Sequence, residues 1–244
     1  QVSDEHLRAG FSVGTRAIIK EIDALRDAET SKLLHYILHE PCSEAEYPNG
    51  TRDKGRHGER LADFCAHPDA VVAGLEECHV VALRLYTTSA YRFINEPLRR
   101  PEGPHPLAHT TAFIADGIKR LRAVGASLAS STETMTYWRG MRNVGCGEAF
   151  MRKRAGGTEV APMSTTTSIS VATLYGASKE TLLFKLQVSN PIMSGARLGW
   201  LSAFPAEAEV LFPPLTYLQP TGLQQRVVIG GVTITVIEVT PNLA

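Results

Sequence analysis

With 244 residues, 43% of them hydrophobic, the chain is long enough for one sizeable core, or for a core and a small extra subdomain. Lys and Arg number 25 and so do Asp and Glu, a formal charge of zero that argues against binding nucleic acid or a membrane surface through bulk charge. No apolar run approaches the roughly 18 residues of a membrane-spanning helix.

Residues 1–40 read as helices: Ile18, Ile19, Ile22 and Leu25, then Leu33, Leu34, Ile37 and Leu38, recur at helical spacing, and Pro41 ends the pattern. His35 and His39 sit on one helix face. No third ligand and no His-Glu-x-x-His accompanies them, so packing is expected and no metal. Residues 44–58 form a polar, glycine-punctuated loop in which Arg52, Lys54 and Arg56 read as solvated. Within it Asn49-Gly50-Thr51 is either a glycosylation acceptor or a turn, and the turn is expected. Cys42, Cys65, Cys78 and Cys146 form no C-x-x-C pair and read as reduced, half-buried thiols. With no secretory signal, the expected compartment is the cytoplasm, and a start at Gln1 rather than Met reads as an excised segment.

Short helices are expected over 59–65 and 68–76, and a stronger helical segment over 80–98. A proline-rich connection at 99–109 leads to a helix over 110–124, with Phe113, Ile114, Ile118, Leu121 and Val124 on one face and Lys119, Arg120 and Arg122 toward water. Beyond Thr134 strand formers dominate. Strands are predicted at 134–139, 162–166, 181–188, 198–202, 207–212, 216–224 and 227–239, the last holding Gly230-Gly231 as a turn or bulge. Helices first and strands after is the α+β pattern.

Three stretches carry candidate chemistry. Tyr137-Trp138-Arg139-Gly140-Met141 ends an apolar strand on an arginine whose fork suits a phosphate oxygen or a ribose hydroxyl; an ordinary ion pair is the alternative. Gly140 lets a ligand approach the backbone. Met163-Ser164-Thr165-Thr166-Thr167-Ser168 is rich in hydroxyls. Phe204-Pro205-Ala206-Glu207-Ala208-Glu209-Val210-Leu211-Phe212-Pro213-Pro214 places Glu207 and Glu209 two apart on a predicted strand, hence on one face, roughly 7 Å from each other. Such a pair is either a charged edge that deters strand pairing or a functional site. There is no P-loop and no G-x-G-x-x-G, which argues against a kinase or a dehydrogenase.

In this order, and with Val171-Ala172, Tyr175-Gly176 and the apolar run 181–188 between them, these stretches resemble the Arg–Ser–Glu class of mono-ADP-ribosyltransferases. The likeness covers about residues 80–241, and Glu-x-Glu-Val-Leu-x-Pro-Pro is its most specific motif. It implies a helical N-terminal half packed on a mixed β-sheet core, with residues 1–75 as an extension and 76–244 as the catalytic domain. The implied activity is that of an NAD(P)-arginine ADP-ribosyltransferase: ADP-ribose moves from NAD, a substrate, to arginines of an acceptor protein, and nicotinamide leaves. No metal, nucleic acid or membrane partner is implied. By resemblance Glu209 stabilises the ribosyl cation through a ribose hydroxyl, Glu207 meets the acceptor guanidinium, and Ser164 holds the glutamate and the ribose. Arg139, the Gly140 backbone, Thr165 and the Tyr175 ring bind the dinucleotide. Phe204 and Pro205 fall in the turn that reads the protein acceptor. Thr166 in the third hydroxyl position and Pro162 two before Ser164 depart from the family pattern. An NAD glycohydrolase and an inactive NAD- or partner-binding module are the alternative activities.

Overall fold

The structure is a computed structural model and describes residues 10–48, 50–128, 134–152, 155–229 and 232–243. The chain divides into two compact units, one running to Leu121 and including Trp200–Phe204, the other comprising Arg122–Gly199 and the chain from Pro205 onward.

The first unit is helical. Helix α1 (Val13–Leu25) starts at Ser12, whose Oγ accepts from the Thr15 amide at 3.1 Å, and buries Ile18, Ile19 and Ile22. Helix α2 (Ala28–His39) is capped by Asp27 on the Thr30 amide at 2.8 Å. The expected polar loop contains a small hairpin, β1 (Ala45–Tyr47) with β2 (Gly50–Arg52); Asn49 lies outside the described residues. Short α3 (Leu61–Ala66) and α4 (Pro68–Val72) precede α5 (Glu77–Tyr86), whose residues from Cys78 to Tyr86 are all buried.

The segment expected to be continuous over 80–98 is broken. The Thr87 and Thr88 hydroxyls each take a backbone carbonyl, of Arg84 and Leu85, at 2.7 Å, and the helix stops before α6 (Tyr91–Arg99). Helix α7 spans Ala108–Leu128, and its last turns belong to the second unit.

The strand expected over 198–202 does not form. The Leu201 carbonyl accepts from Arg84 Nη1 at 2.9 Å, the Ser202 carbonyl accepts from Arg56, and the Ala203 carbonyl accepts from the Asp53 amide at 2.7 Å. These backbone groups find partners in the helical unit rather than in a ladder.

The second unit is an eight-stranded mixed sheet with the order β4-β9-β10-β6-β3-β5-β8-β7. The strands are β3 (Met135–Arg142), β4 (Gly157–Glu159), β5 (Met163–Thr166), β6 (Glu180–Val188), β7 (Ala196–Arg197), β8 (Glu209–Phe212), β9 (Thr216–Ile229) and β10 (Val232–Asn242). Among the described residues, only β10 and β6 pair in parallel. Gly230 and Gly231, the expected turn, lie outside the described residues. Helix α8 (Glu148–Met151) precedes β4, and α9 (Ile169–Gly176) follows β5.

The core of this unit gathers Tyr137, Met163, Leu182, Phe184, Leu186, Val210, Phe212, Leu218, Ile237 and Val239 from six strands. The sheet is rolled around that core. Four steps in strand order separate β4 from β3, which in a flat sheet would place them about 19 Å apart. Yet Arg139 and Glu159 meet at 3.5 Å.

Candidate active site

The candidate catalytic and NAD-binding residues fall in the second unit, whereas Phe204 belongs to the first. Strand β5 lies between β3 and β8, and its register with β8 is Ser164 opposite Leu211 and Thr166 opposite Glu209. Directly opposed residues share a face, so Ser164, Thr166 and Glu209 stand together, turned away from the Met163, Val210 and Phe212 side. Ser164 and Glu209 are diagonal neighbours, a spacing of about 7–8 Å. Glu209 is only 6% exposed, unusual burial for a carboxylate. Pro162 stands just before the first residue of β5, a position where a missing N–H interrupts no ladder.

The ladder between β3 and β5 consists of one register pair, Trp138 with Thr166. A continued ladder would next set Gly140 against Ser164, and there the strands part. The Ser164 carbonyl accepts instead from Arg139 Nη1 at 3.0 Å, while Arg139 Nη2 lies 3.5 Å from Glu159 Oε2. Strand alternation and the pairing of Arg139 with Phe184 set Arg139 on the Tyr137 face, opposite to Trp138. Its guanidinium joins the site at the backbone of Ser164, not on the Glu209 face. Thr165 is not brought to that face either: its hydroxyl donates to the Val210 carbonyl at 2.7 Å and it is buried on the core side.

Glu207 is not on the strand. It closes a 3-10 turn, Pro205–Glu207, and Ala208 has φ 47°, in the left-handed region, before β8 begins at Glu209. The expected side-by-side pair on one strand face is therefore replaced by a buried carboxylate on the sheet and a half-buried one on the turn before it. The reason is local: Pro205 presets a turn, and the Ala208 amide returns to the Pro205 carbonyl at 3.3 Å. Thr166 fixes this turn. Its hydroxyl donates to the Glu207 carbonyl at 2.6 Å and accepts from the Ser168 amide at 3.0 Å.

Helix α9 lies against β3 at Gly140, where any Cβ would overlap the Ala172 carbonyl oxygen and approach Gly176 N to 2.8 Å. The glycine is thus required by helix packing. At the helix end Arg142 Nε donates to the Tyr175 carbonyl at 2.6 Å, a cation satisfying the last turn. Tyr175 is exposed, and its hydroxyl donates to Glu207 Oε1. Residue reading missed three things: Glu159, the tie from Thr166 to the turn, and the Tyr175 hydroxyl. Nothing in the spacing of Arg139 and Glu159 announces their contact, because the roll of the sheet creates it. Among the described residues no group of three or more His, Cys, Asp or Glu side chains is arranged to hold a metal ion, and no helix is long and apolar enough to cross a membrane.

The family model for NAD:arginine ADP-ribosyltransferases matches residues 51–238, and the chain belongs to that family. In three dimensions it is similar to HopU1, an ADP-ribosyltransferase of Pseudomonas syringae pv. tomato, at 15% identity over 94% of this chain and 98% of that one, with a TM-score of 0.55. It is also similar to a mutant of the eukaryotic mono-ADP-ribosyltransferase ART2.2 solved with NADH, at 14% identity over 100% of this chain and 89% of that one, with a TM-score of 0.52. The ADP-ribosyltransferase Vis, solved with agmatine, matches at 19% identity over 75% of this chain and 83% of that one, with a TM-score of 0.51. At these identities the likeness is one of fold. A comparison with curated protein sequences returns no match.

Proposed function

We propose that the chain is a mono-ADP-ribosyltransferase that moves ADP-ribose from NAD to arginine side chains of an acceptor protein and releases nicotinamide. One observation carries this reading. Buried Glu209 stands diagonal to Ser164 at the point where β3 and β5 part, and a second carboxylate, Glu207, is set outward on the preceding turn.

The donor set suits NAD. Cleaving the bond from ribose C1′ to nicotinamide leaves positive charge on the sugar, as in glycoside hydrolysis. A preorganised carboxylate, poorly hydrated because it is buried, stabilises that charge well. In this reading Glu209 accepts from a ribose hydroxyl and Ser164 steadies both. The guanidinium of Arg139 serves a phosphate oxygen, the Gly140 backbone serves the nicotinamide amide, and the Tyr175 ring covers the pyridinium face. The leaving nicotinamide takes the electron pair of the broken bond. A nitrogen of the acceptor guanidinium forms the new bond to C1′ and gives its proton to Glu207, which is exposed enough to meet a protein side chain.

The test is incubation with labelled NAD with and without agmatine, a guanidinium acceptor and the compound found with Vis. ADP-ribosyl-agmatine and nicotinamide are expected in comparable amounts. Nicotinamide and free ADP-ribose alone would replace the arginine reading with a glycohydrolase.

A further inference from the structure

Glu207 is held at both ends. Its carbonyl accepts from Thr166 Oγ1 at 2.6 Å, which fixes the turn, and its side-chain Oε1 accepts from the Tyr175 hydroxyl. The tyrosine is itself anchored. Its carbonyl is bound by Arg142 Nε at 2.6 Å, the Gly176 carbonyl accepts from Thr181 Oγ1 at 2.7 Å, and the α9 backbone lies on Gly140 where no side chain fits. An exposed aromatic at a helix end ordinarily samples several rotamers; here the backbone and the phenol oxygen are both tied.

We propose, resting on the arginine-transfer reading, that the Tyr175 hydroxyl is a positioning group that aims the Glu207 carboxylate at the acceptor guanidinium and so biases the site toward guanidinium acceptors over water. A carboxylate offers about four lone-pair sites. A guanidinium fork uses one on each oxygen. The phenol occupies one site on Oε1, and a fork that takes one site on each oxygen does not need the site the phenol fills. A neutral donor in that place orients the carboxylate without itself neutralising it. A phenylalanine at this position keeps the ring and removes this one donor from the Glu207 carboxylate. The hydroxyl therefore acts in acceptor choice, a role separate from whatever the ring contributes to the donor.

The experiment compares four proteins: wild type, Tyr175→Phe, Glu207→Gln and the double variant. Each is given NAD and agmatine, and the readout is ADP-ribosyl-agmatine formed per nicotinamide released, with the KM for agmatine. Loss of a hydrogen bond to a charged group is expected to lower this ratio about fivefold to tenfold in Tyr175→Phe, with a matching rise in that KM. In the Glu207→Gln background the same change is expected to leave the ratio where it is, because the hydroxyl acts through the carboxylate. A purely structural role lowers both products together and leaves the ratio unmoved, which overturns the proposal. An effect of equal size in the Glu207→Gln background also overturns it. Wild type that modifies agmatine as well as Tyr175→Phe does sinks the positioning role alone. Wild type that releases nicotinamide and leaves agmatine untouched sinks the arginine reading and this proposal with it.

Discussion

Glu209 and Glu207 differ in burial and in partners although only Ala208 separates them. Glu209 belongs to the ladder with Thr166, whereas Glu207 is bonded through its carboxylate to Tyr175. Glu209→Gln preserves shape and removes charge. The expected outcome is NAD affinity within about threefold of wild type and nicotinamide release reduced roughly 10²–10³-fold, the range for removing one electrostatic stabiliser of a charged transition state. Equilibrium titration with NAD and single-turnover nicotinamide release separate these. Glu207→Gln removes the charge that, in the arginine-transfer reading, pairs with guanidinium. Agmatine modification is expected to fall at least about tenfold further than acceptor-free nicotinamide release does, about 1.4 kcal/mol of barrier. At this scale the sequence supplies the residue types in chain order, an arginine, a serine and two glutamates, and the structure sets Ser164 and Glu209 on one face. Their directions were less legible. Thr165 and Arg139 point to the core side because strand alternation leaves no choice once Trp138 pairs with Thr166. That pairing is a tertiary fact absent from either stretch read alone.

Elements were read best where periodicity is strong and worst where a backbone finds partners far along the chain. α1, α2, β3 and β6 are close to expectation because their apolar spacing has one solution. Residues 198–202 carry strand-forming side chains, but the Leu201 and Ser202 carbonyls are taken by Arg84 and Arg56, and the next one, of Ala203, by the Asp53 amide, which no local pattern announces. The strand expected to include Glu207 starts two residues late because Pro205 and the left-handed Ala208 form a turn that propensity alone does not rank above extension. Helix α9 offers the sharpest test of the element. Gly140→Ala sets a methyl group into the Ala172 carbonyl, and backbone cannot yield as a side-chain tip can. Overpacking of this kind costs typically 1–3 kcal/mol. A fall of several degrees in the thermal midpoint is expected, together with faster amide exchange in α9 and a weaker hold on Tyr175. Unchanged exchange protection of α9 would show that the helix does not depend on this contact.

At the scale of the whole molecule, each unit carries charge buried within it, and the first unit's stability is tied to it. Arg84 Nη2 meets Asp53 Oδ1 at 2.8 Å with side chains 2% and 0% exposed, and Tyr36 donates to the other Asp53 oxygen at 2.8 Å. These partners come from separate helices and a loop, so composition could not pair them. Asp53→Asn leaves the guanidinium without its countercharge, and a loss of about 3–5 kcal/mol is expected by denaturant titration. His79 sets a pH dependence in the same unit. It is buried, its Nδ1 accepts from the Glu76 amide at 3.0 Å, and its Nε2 lies 3.0 Å from Asp116. Burial and the nearby Arg120 charge hold its pKa below the ordinary value of 6.5, against the pull of Asp116 and Glu76. The neutral ring fits both contacts, accepting at Nδ1 and donating at Nε2, whereas the imidazolium cannot accept the Glu76 amide. A folded-state value below the unfolded one means that the unfolded chain takes up protons more readily. The stability contributed by His79 is therefore present above pH 6.5 and is lost as pH falls from there toward the folded value. His39, also lowered by burial and by His35, acts with the same sign. Thermal melts between pH 7.5 and about 5 should show a falling midpoint. His79→Gln, which keeps a polar side chain of similar reach and does not titrate, should reduce that slope. The contribution remaining in this variant comes from His39 and, at the acid end, from carboxylates held below their ordinary values, such as Glu21 and Glu238. If His79→Gln melts with the wild-type slope across this range, the ring is not the group that the fold keeps neutral.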